Sequence, residues 1–277
     1  MKRIVTIQDI SCVGKCSLTV ALPIISAMGI ETAIIPTAVL STHTMFNGFT
    51  CKDLTDQIKP ICEHWKKENF KFDAIYTGYL GSFEQIDIMK EVFDEFKTDD
   101  NIIFVDPAMA DNGKLYTAFD EAFANHMATL CAKADIIVPN ITEAAFMTGI
   151  EYKTEYDESY VKKLLKSLAE LGSKISILTG VSFEDGTTGV MGYDRINNEF
   201  HYYAHKKQPM SYHGTGDIFS STCVGAIMNG MPWYNAVKVA ADYTSECIRV
   251  TCEDATADRY GVNFESVIPY LLKRINK

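Results

Sequence analysis

The sequence predicts an α/β fold: a three-layer αβα sandwich built on a mainly parallel central sheet. Three observations predict it. Apolar strand-like runs alternate with helix-like segments from the first residues to Thr179. Helix-like segments separate the runs, as parallel strands joined by crossovers require, so helices should cover both sheet faces. Polar and glycine residues gather just after the runs, at Asp9, Thr44, Gly78, Asp106, Asn140 and Thr179, where open α/β sheets place their ligands.

The elements follow in order. Arg3–Ile10 reads as a buried strand, and Ser17–Met28 as a helix ended by Gly29. Thr32–Thr37 is again strand-like. Leu54–Asn69 is amphipathic, with a break expected at Pro60, which cannot donate a helical hydrogen bond. Ala74–Gly78 is a short strand. Glu84–Lys97 is a helix, with Ile86, Met89, Val92, Phe93 and Phe96 on one face. Asn101–Asp106, Asp135–Pro139 and Ile175–Thr179 are strands, separated by helices at Ala118–Ala132 and Asp157–Leu171. Gly189–Tyr193 and Glu199–Tyr203 form an antiparallel pair turning at Asn197-Asn198. Helices at Asp217–Met228, Trp233–Thr251 and Phe264–Ile275 finish the chain. No linker or repeat interrupts the 277 residues, so one domain spanning 1–277 is expected.

Composition narrows the function classes. Hydrophobic residues make up 47% of the chain, enough for a large core, and the formal net charge is −10. No basic run is longer than a pair such as Lys66-Lys67 or Lys206-Lys207, which argues against nucleic acid or an anionic membrane as partner. Met1-Lys2-Arg3 leads directly into a short strand, so no signal peptide is expected. No apolar run approaches ~18 residues. The eight cysteines form no Cys-x-x-Cys pair, as expected of reduced thiols in a cytoplasmic protein.

Chemistry concentrates in His213-Gly214-Thr215-Gly216-Asp217. Two glycines and a helix start can aim several N–H groups and a positive dipole end at one anion, and phosphate is the usual one. Asp217 would repel that phosphate, so its presence there implies another purpose. Removing a proton from an attacking hydroxyl is such a purpose. A second motif, Ser11-Cys12-Val13-Gly14-Lys15-Cys16-Ser17, imitates half a P-loop. It has Asp9 where the first glycine belongs and Cys16 where a magnesium-binding hydroxyl belongs, so it reads as a tight turn lining another ligand.

Other residues admit two readings each. Asp106, in Val105-Asp106-Pro107, either meets a ligand at a strand end or is satisfied by its own turn. In Pro139-Asn140-Ile141-Thr142-Glu143, either Asn140 or Thr142 caps the next helix. Asp106 and Glu143 together suit Mg²⁺, held through water. His43, in Ser41-Thr42-His43-Thr44, is either a structural histidine or part of a mobile loop over the substrate. Tyr79, in Gly78-Tyr79-Leu80-Gly81-Ser82, is a core aromatic or a platform for a flat ring.

Together these segments resemble the ribokinase-like superfamily, and within it the pyridoxal/pyridoxamine (vitamin B6) kinases, over nearly the whole chain. Gly214-Thr215-Gly216-Asp217 carries the superfamily resemblance. Ile7-Gln8, Ser-x-His-Thr at 41–44, Gly78–Ser82, Asp106-Pro107 and Pro139-Asn140 with Glu143 complete it. The resemblance implies ATP-dependent phosphorylation of the 5′-hydroxymethyl of pyridoxal, pyridoxamine or pyridoxine by a cytoplasmic homodimer. Asp217 would be the general base, and Gly214, Thr215 and Gly216 the anion hole. Asp106, Glu143 and Asn140 would organise Mg²⁺ and a monovalent cation such as K⁺. Asp111, Thr179 and Gly180 would lie by the nucleotide, and His43, Thr44 and Tyr79 by the pyridine ring.

Two positions depart from the family pattern. Asp9 stands where Ser is common; it would favour a protonated ring nitrogen, or equally a different heterocycle. His213 stands where a small apolar residue is common, within reach of a ring substituent. The rival is a hydroxymethylpyrimidine (phosphate) kinase of thiamine synthesis. A sugar or nucleoside kinase would present more polar groups to a polyol. A non-catalytic vitamin B6-binding protein would lack Asp217, Asp106 or Glu143. A dinucleotide-dependent dehydrogenase would need Gly-x-Gly-x-x-Gly after the first strand.

Overall fold

A computed structural model describes residues 1–257 and 260–276. They group into two compact units: residues 1–76 with 206–277, and residues 77–205.

The first unit opens with β1 (Arg3–Val13), α1 (Leu18–Ala27), β2 (Glu31–Thr42), β3 (Cys51–Asp53), α2 (Thr55–Lys67) and most of β4 (Ala74–Thr77). Its strands run in the order β4-β1-β2-β3, with β1 parallel to β2 and β3 antiparallel to β2. Both long strands exceed their sequence-based limits. Pairing continues to Val13 opposite Thr42, so Asp9 lies inside β1, and Ser41 and Thr42 inside β2. The register shifts between Gln8 and Ile10: Asp9 of β1 stands opposite two residues of β2, Thr37 and Ala38, so the extra residue of the bulge lies in β2. The strand β3 has only three exposed residues and no apolar pattern to announce it. Pro60 does not break α2. It lies early in the helix, where its missing N–H forfeits a single bond to the Asp56 carbonyl.

The second unit contains α3 (Phe83–Phe96), β5 (Ile102–Val105), β6 (Ala110–Asp111), β7 (Lys114–Leu115), α4 (Glu121–Cys131) and β8 (Ile136–Ile137). It continues with α5 (Ile141–Thr148), α6 (Glu158–Leu171), β9 (Ile175–Val181), β10 (Thr187–Asp194) and most of β11 (Glu199–Lys206). Its main strands run β11-β10-β9-β8-β5; β5, β8 and β9 are parallel, and β10 is antiparallel to β9. A β6–β7 hairpin turns through Asn112 and Gly113, both at positive φ. Helices begin on side-chain caps: Ser82 for α3, Asp120 for α4 and Asp157 for α6.

The chain returns to the first unit for α7 (Thr215–Met228), α8 (Trp233–Glu253) and, after a 3₁₀ turn at Glu265–Val267, α9 (Ile268–Arg274). Here α7 packs against α1 and α8. A side chain at Gly225 of α7 would place its Cβ 2.6 Å from the Met28 sulfur. No helix among the described residues is long and apolar enough to cross a membrane.

Asp135 fixes the start of β8 in the second unit. Its carboxylate accepts the Ile103 N–H at 2.8 Å and pairs with Lys97 and Lys174, each at 2.7 Å, while the residue is only 8% exposed. Burial raises its proton affinity, but Lys174, Lys97 and the Ile103 N–H outweigh burial and hold the carboxyl below its usual range. This stability is present above the ordinary carboxylate range and is lost as pH falls through the lower folded value. Replacing Asp135 with Ala strands a buried N–H and a lysine, and should cost about 3 kcal/mol in urea unfolding at pH 7. The deficit should shrink toward pH 3; an equal deficit at pH 3 and pH 7 would refute the ionic account.

Candidate active site

In the first unit, α7 starts two residues earlier than its sequence pattern suggests, so Asp217 is the third residue of the helix. Gly214 is the N-cap, at φ 82°, and supplies no capping side chain. The Gly214 carbonyl accepts the Ile218 N–H and opens the helical ladder. The N–H groups of Thr215, Gly216 and Asp217 precede that first bond, in the turn where a helix offers its donors and positive dipole end. The Thr215 hydroxyl donates to the Tyr212 carbonyl. This leaves anion binding here to backbone groups.

The P-loop-like segment Ser11–Ser17 backs this turn. A Cβ on Gly214 would fall 2.0 Å from the Lys15 carbonyl oxygen, so the two turns meet backbone to backbone. Lys15 does not act as a P-loop lysine. Its Nζ bonds Asn263 at 3.0 Å and Glu265 at 2.9 Å, and its N–H donates to the Tyr260 carbonyl. Cys16 is 3% exposed. Burial first, then the charge of Asp217, push its thiol up to about 12, so it stays protonated and unreactive at neutral pH. Asp9 raises it further, which puts Asp9, Cys16 and Asp217 in one electrostatic neighbourhood. Asp9 is buried and accepts the Ser17 hydroxyl at 2.6 Å; burial raises its pKa and Ser17 partly counters the rise.

His43 and His213 meet with ring centroids 4.6 Å apart. His43 is buried, its Nδ1 accepts the Met45 N–H, and its ring rests on Phe46 at 4.8 Å. Accepting at Nδ1 assigns the proton to Nε2. Gly14 has no side chain because a Cβ there would sit 2.6 Å from the His43 ring. His213 keeps an exposed edge. Crowding around the rest of its ring, then His43, lower its pKa to about 4, so His213 is neutral at pH 7. Thr44 lies exposed on the turn after β2.

In the second unit, Asp106 follows β5 and its N–H donates to the Thr77 carbonyl. The helix α5 is capped by Asn140, not Thr142, through a full capping box with Glu143. Glu143 is 3% exposed; one oxygen accepts the Asn140 N–H at 2.8 Å, the other the Met109 and Ala110 N–H groups at 3.0 and 3.4 Å. Burial, then the charge of Asp106, raise its pKa well above the ordinary range. Two crowded carboxyls of this kind fit a divalent cation, which would relieve their repulsion. Among the described residues no group of three or more His, Cys, Asp or Glu is arranged to hold a metal ion.

Thr179 and Gly180 lie within β9, which runs on to Val181. Thr179 bridges to Asn140, and its N–H donates to the Pro139 carbonyl. Asp111 sits at the hairpin tip, accepting both the N–H and the side-chain amide of Asn112. Tyr79 is half-buried, 5.6 Å from Phe119, which stacks on Phe123 at 3.9 Å. Sequence reasoning missed Ser17, whose P-loop-like motif was the available signal. It also missed Tyr156, whose hydroxyl donates to the Gly180 carbonyl and accepts the Ser182 N–H, a contact without sequence signature.

Comparison with known proteins sets these residues in context. A family model described as phosphomethylpyrimidine kinase matches residues 22–261. A candidate phosphomethylpyrimidine kinase of Bacteroides thetaiotaomicron, crystallised with pyridoxal, is 39% identical, with a TM-score of 0.93 over 98% of this chain and 95% of its own. Pyridoxal kinase of Lactobacillus plantarum is 28% identical, with a TM-score of 0.90 over 99% and 97%. Pyridoxal kinase of Dictyostelium discoideum is 27% identical over 241 residues, covering 80% of this chain and 77% of that protein. The α/β fold with a mainly parallel sheet flanked by helices is therefore the ribokinase-like fold of the pyridoxal kinases.

Proposed function

The chain belongs to the phosphomethylpyrimidine kinase family and is a kinase, and we propose that it transfers the γ-phosphoryl group of ATP to the 5′-hydroxymethyl of pyridoxal, pyridoxamine or pyridoxine. The observation that carries this reading is the Gly214–Asp217 turn, with backbone donors and a carboxylate in the same helical turn. The pyridoxal in the Bacteroides thetaiotaomicron structure supports a B6 acceptor.

Phosphoryl transfer asks the protein for positioning, charge stabilisation and a base. Asp217 accepts the proton of the acceptor hydroxyl as that oxygen attacks. The N–H groups at Gly214, Thr215 and Gly216 receive the charge of the moving phosphoryl. Asp106 and Glu143, with Asn140, would hold Mg²⁺ through water, and the cation neutralises phosphate charge when bound. Asp111, Thr179 and Gly180 contribute to nucleotide binding, and Asp9, His43, Thr44, Tyr79 and His213 to the ring. The reading takes residues 1–277 as one kinase domain working as a cytoplasmic homodimer.

The test is incubation with ATP, Mg²⁺ and each vitamer, with products identified by mass and by phosphorus NMR. One phosphate on the 5′ oxygen is expected. ATP consumption without a phosphorylated vitamer would refute the assignment. The family's own name favours a second reading, in which hydroxymethylpyrimidine is the acceptor; the same assay with that ring decides it.

A further inference from the structure

Ser17 occupies a position that costs the fold twice. Its backbone is at φ 49° and ψ −130°, a conformation suited to glycine and strained for serine. It is also the N-cap of α1, where a serine hydroxyl ordinarily accepts a helical N–H, yet it makes no capping bond. The hydroxyl is instead spent on Asp9 Oδ1 at 2.6 Å, and both residues are buried, at 5% and 6% exposure. Among the described residues no other side chain donates to Asp9. Strain of this sort persists where the surrounding structure needs the side chain held in one place.

The held group is a carboxyl in a poor environment. Asp9 lies inside β1 opposite a bulge in β2, is removed from water, has one side-chain donor, and shares its surroundings with Asp217 through Cys16. A buried carboxylate of this kind is stabilised by a partner that brings a proton or a positive charge.

We propose that Ser17 is a positioning residue that aims Asp9 at the acceptor, and that the pair selects an acceptor whose ring carries a proton on nitrogen. This rests on the kinase reading above and specifies its acceptor class. Glycine at position 17 would relieve the strain but lose the aim, and alanine would lose the aim and keep the strain.

The experiment compares wild type, Ser17→Ala, Ser17→Gly and Asp9→Asn with two acceptors: pyridoxine and its analogue with CH in place of the ring nitrogen. Both Ser17 variants should raise KM for pyridoxine about tenfold, with kcat within about twofold of wild type. Neither should change binding of the analogue, which wild type should bind about tenfold more weakly than pyridoxine. Ser17→Gly should melt above wild type, and Ser17→Ala should not. Wild-type kinetics in both Ser17 variants, equal losses for both acceptors, or equal wild-type affinity for the two would overturn the proposal. A wild type inactive on every vitamer removes the kinase reading and this inference with it. An active wild type that is inactivated by Asp217→Ala but insensitive at Ser17 removes this inference alone.

Discussion

Asp217→Ala should lower turnover of pyridoxal by at least about 100-fold, the usual contribution of a positioned general base. Asp217 is half-buried at the third residue of α7. A first-turn acid can be a helix-stabilising charge alone, and that rival predicts a small loss of stability with turnover intact. If the carboxylate is the base, nucleotide affinity should survive, or rise as a negative charge leaves the phosphate neighbourhood. Steady-state kinetics with calorimetric titration of nucleotide separates the two. Turnover within a fewfold of wild type would remove Asp217 from the chemistry.

Gly214→Ala should be nearly as damaging, for a steric reason. The residue is at φ 82°, and its new Cβ would lie 2.0 Å from the Lys15 carbonyl oxygen. That carbonyl cannot easily retreat, because Lys15 is tied by its N–H to Tyr260 and by its ammonium to Asn263 and Glu265. The strain and overlap should cost about 2–4 kcal/mol of stability. Displacing the N–H groups should lower kcat/KM by about 100-fold or more, as losing a preorganised donor does. Urea unfolding and initial rates measure the two effects. A folded variant with the wild-type rate would mean that the turn does not cradle the moving phosphoryl.

Much of this was legible in the sequence, for local reasons. The heptad-like face of Ile86, Met89, Val92 and Phe93 marked α3 to within a residue at each end. The Asn140–Glu143 spacing offered a capping box, and the fold made it one. The glycines around Thr215 announced a turn before a helix. What stayed hidden depends on partners distant in the chain. Nothing near Pro60 says that its helix tolerates a missing bond. Pairing of Val13 with Thr42 extends both strands beyond their apolar runs, and so moves Asp9 from a strand end into the interior of β1, opposite a bulge in β2. His43 meets His213 only because Gly14 leaves room for its ring. Ser17 looked like part of a failed P-loop, and its strained backbone and bond to Asp9 appear only in three dimensions. Glu143 read as a cation-organising acid in the sequence; its two oxygens also accept three backbone N–H groups, so it is a helix cap as well.

The central claim is that this kinase acts on a vitamin B6 ring, and the ratio of kcat/KM for pyridoxal to that for hydroxymethylpyrimidine tests it most directly. Both are measured with ATP and Mg²⁺ on the same preparation of the full chain. Recognition of the ring by a buried, oriented carboxyl predicts at least about tenfold preference for pyridoxal, the discrimination that one hydrogen bond to a charged group supplies. A ratio below one would contradict the account and assign the chain to the pyrimidine acceptor.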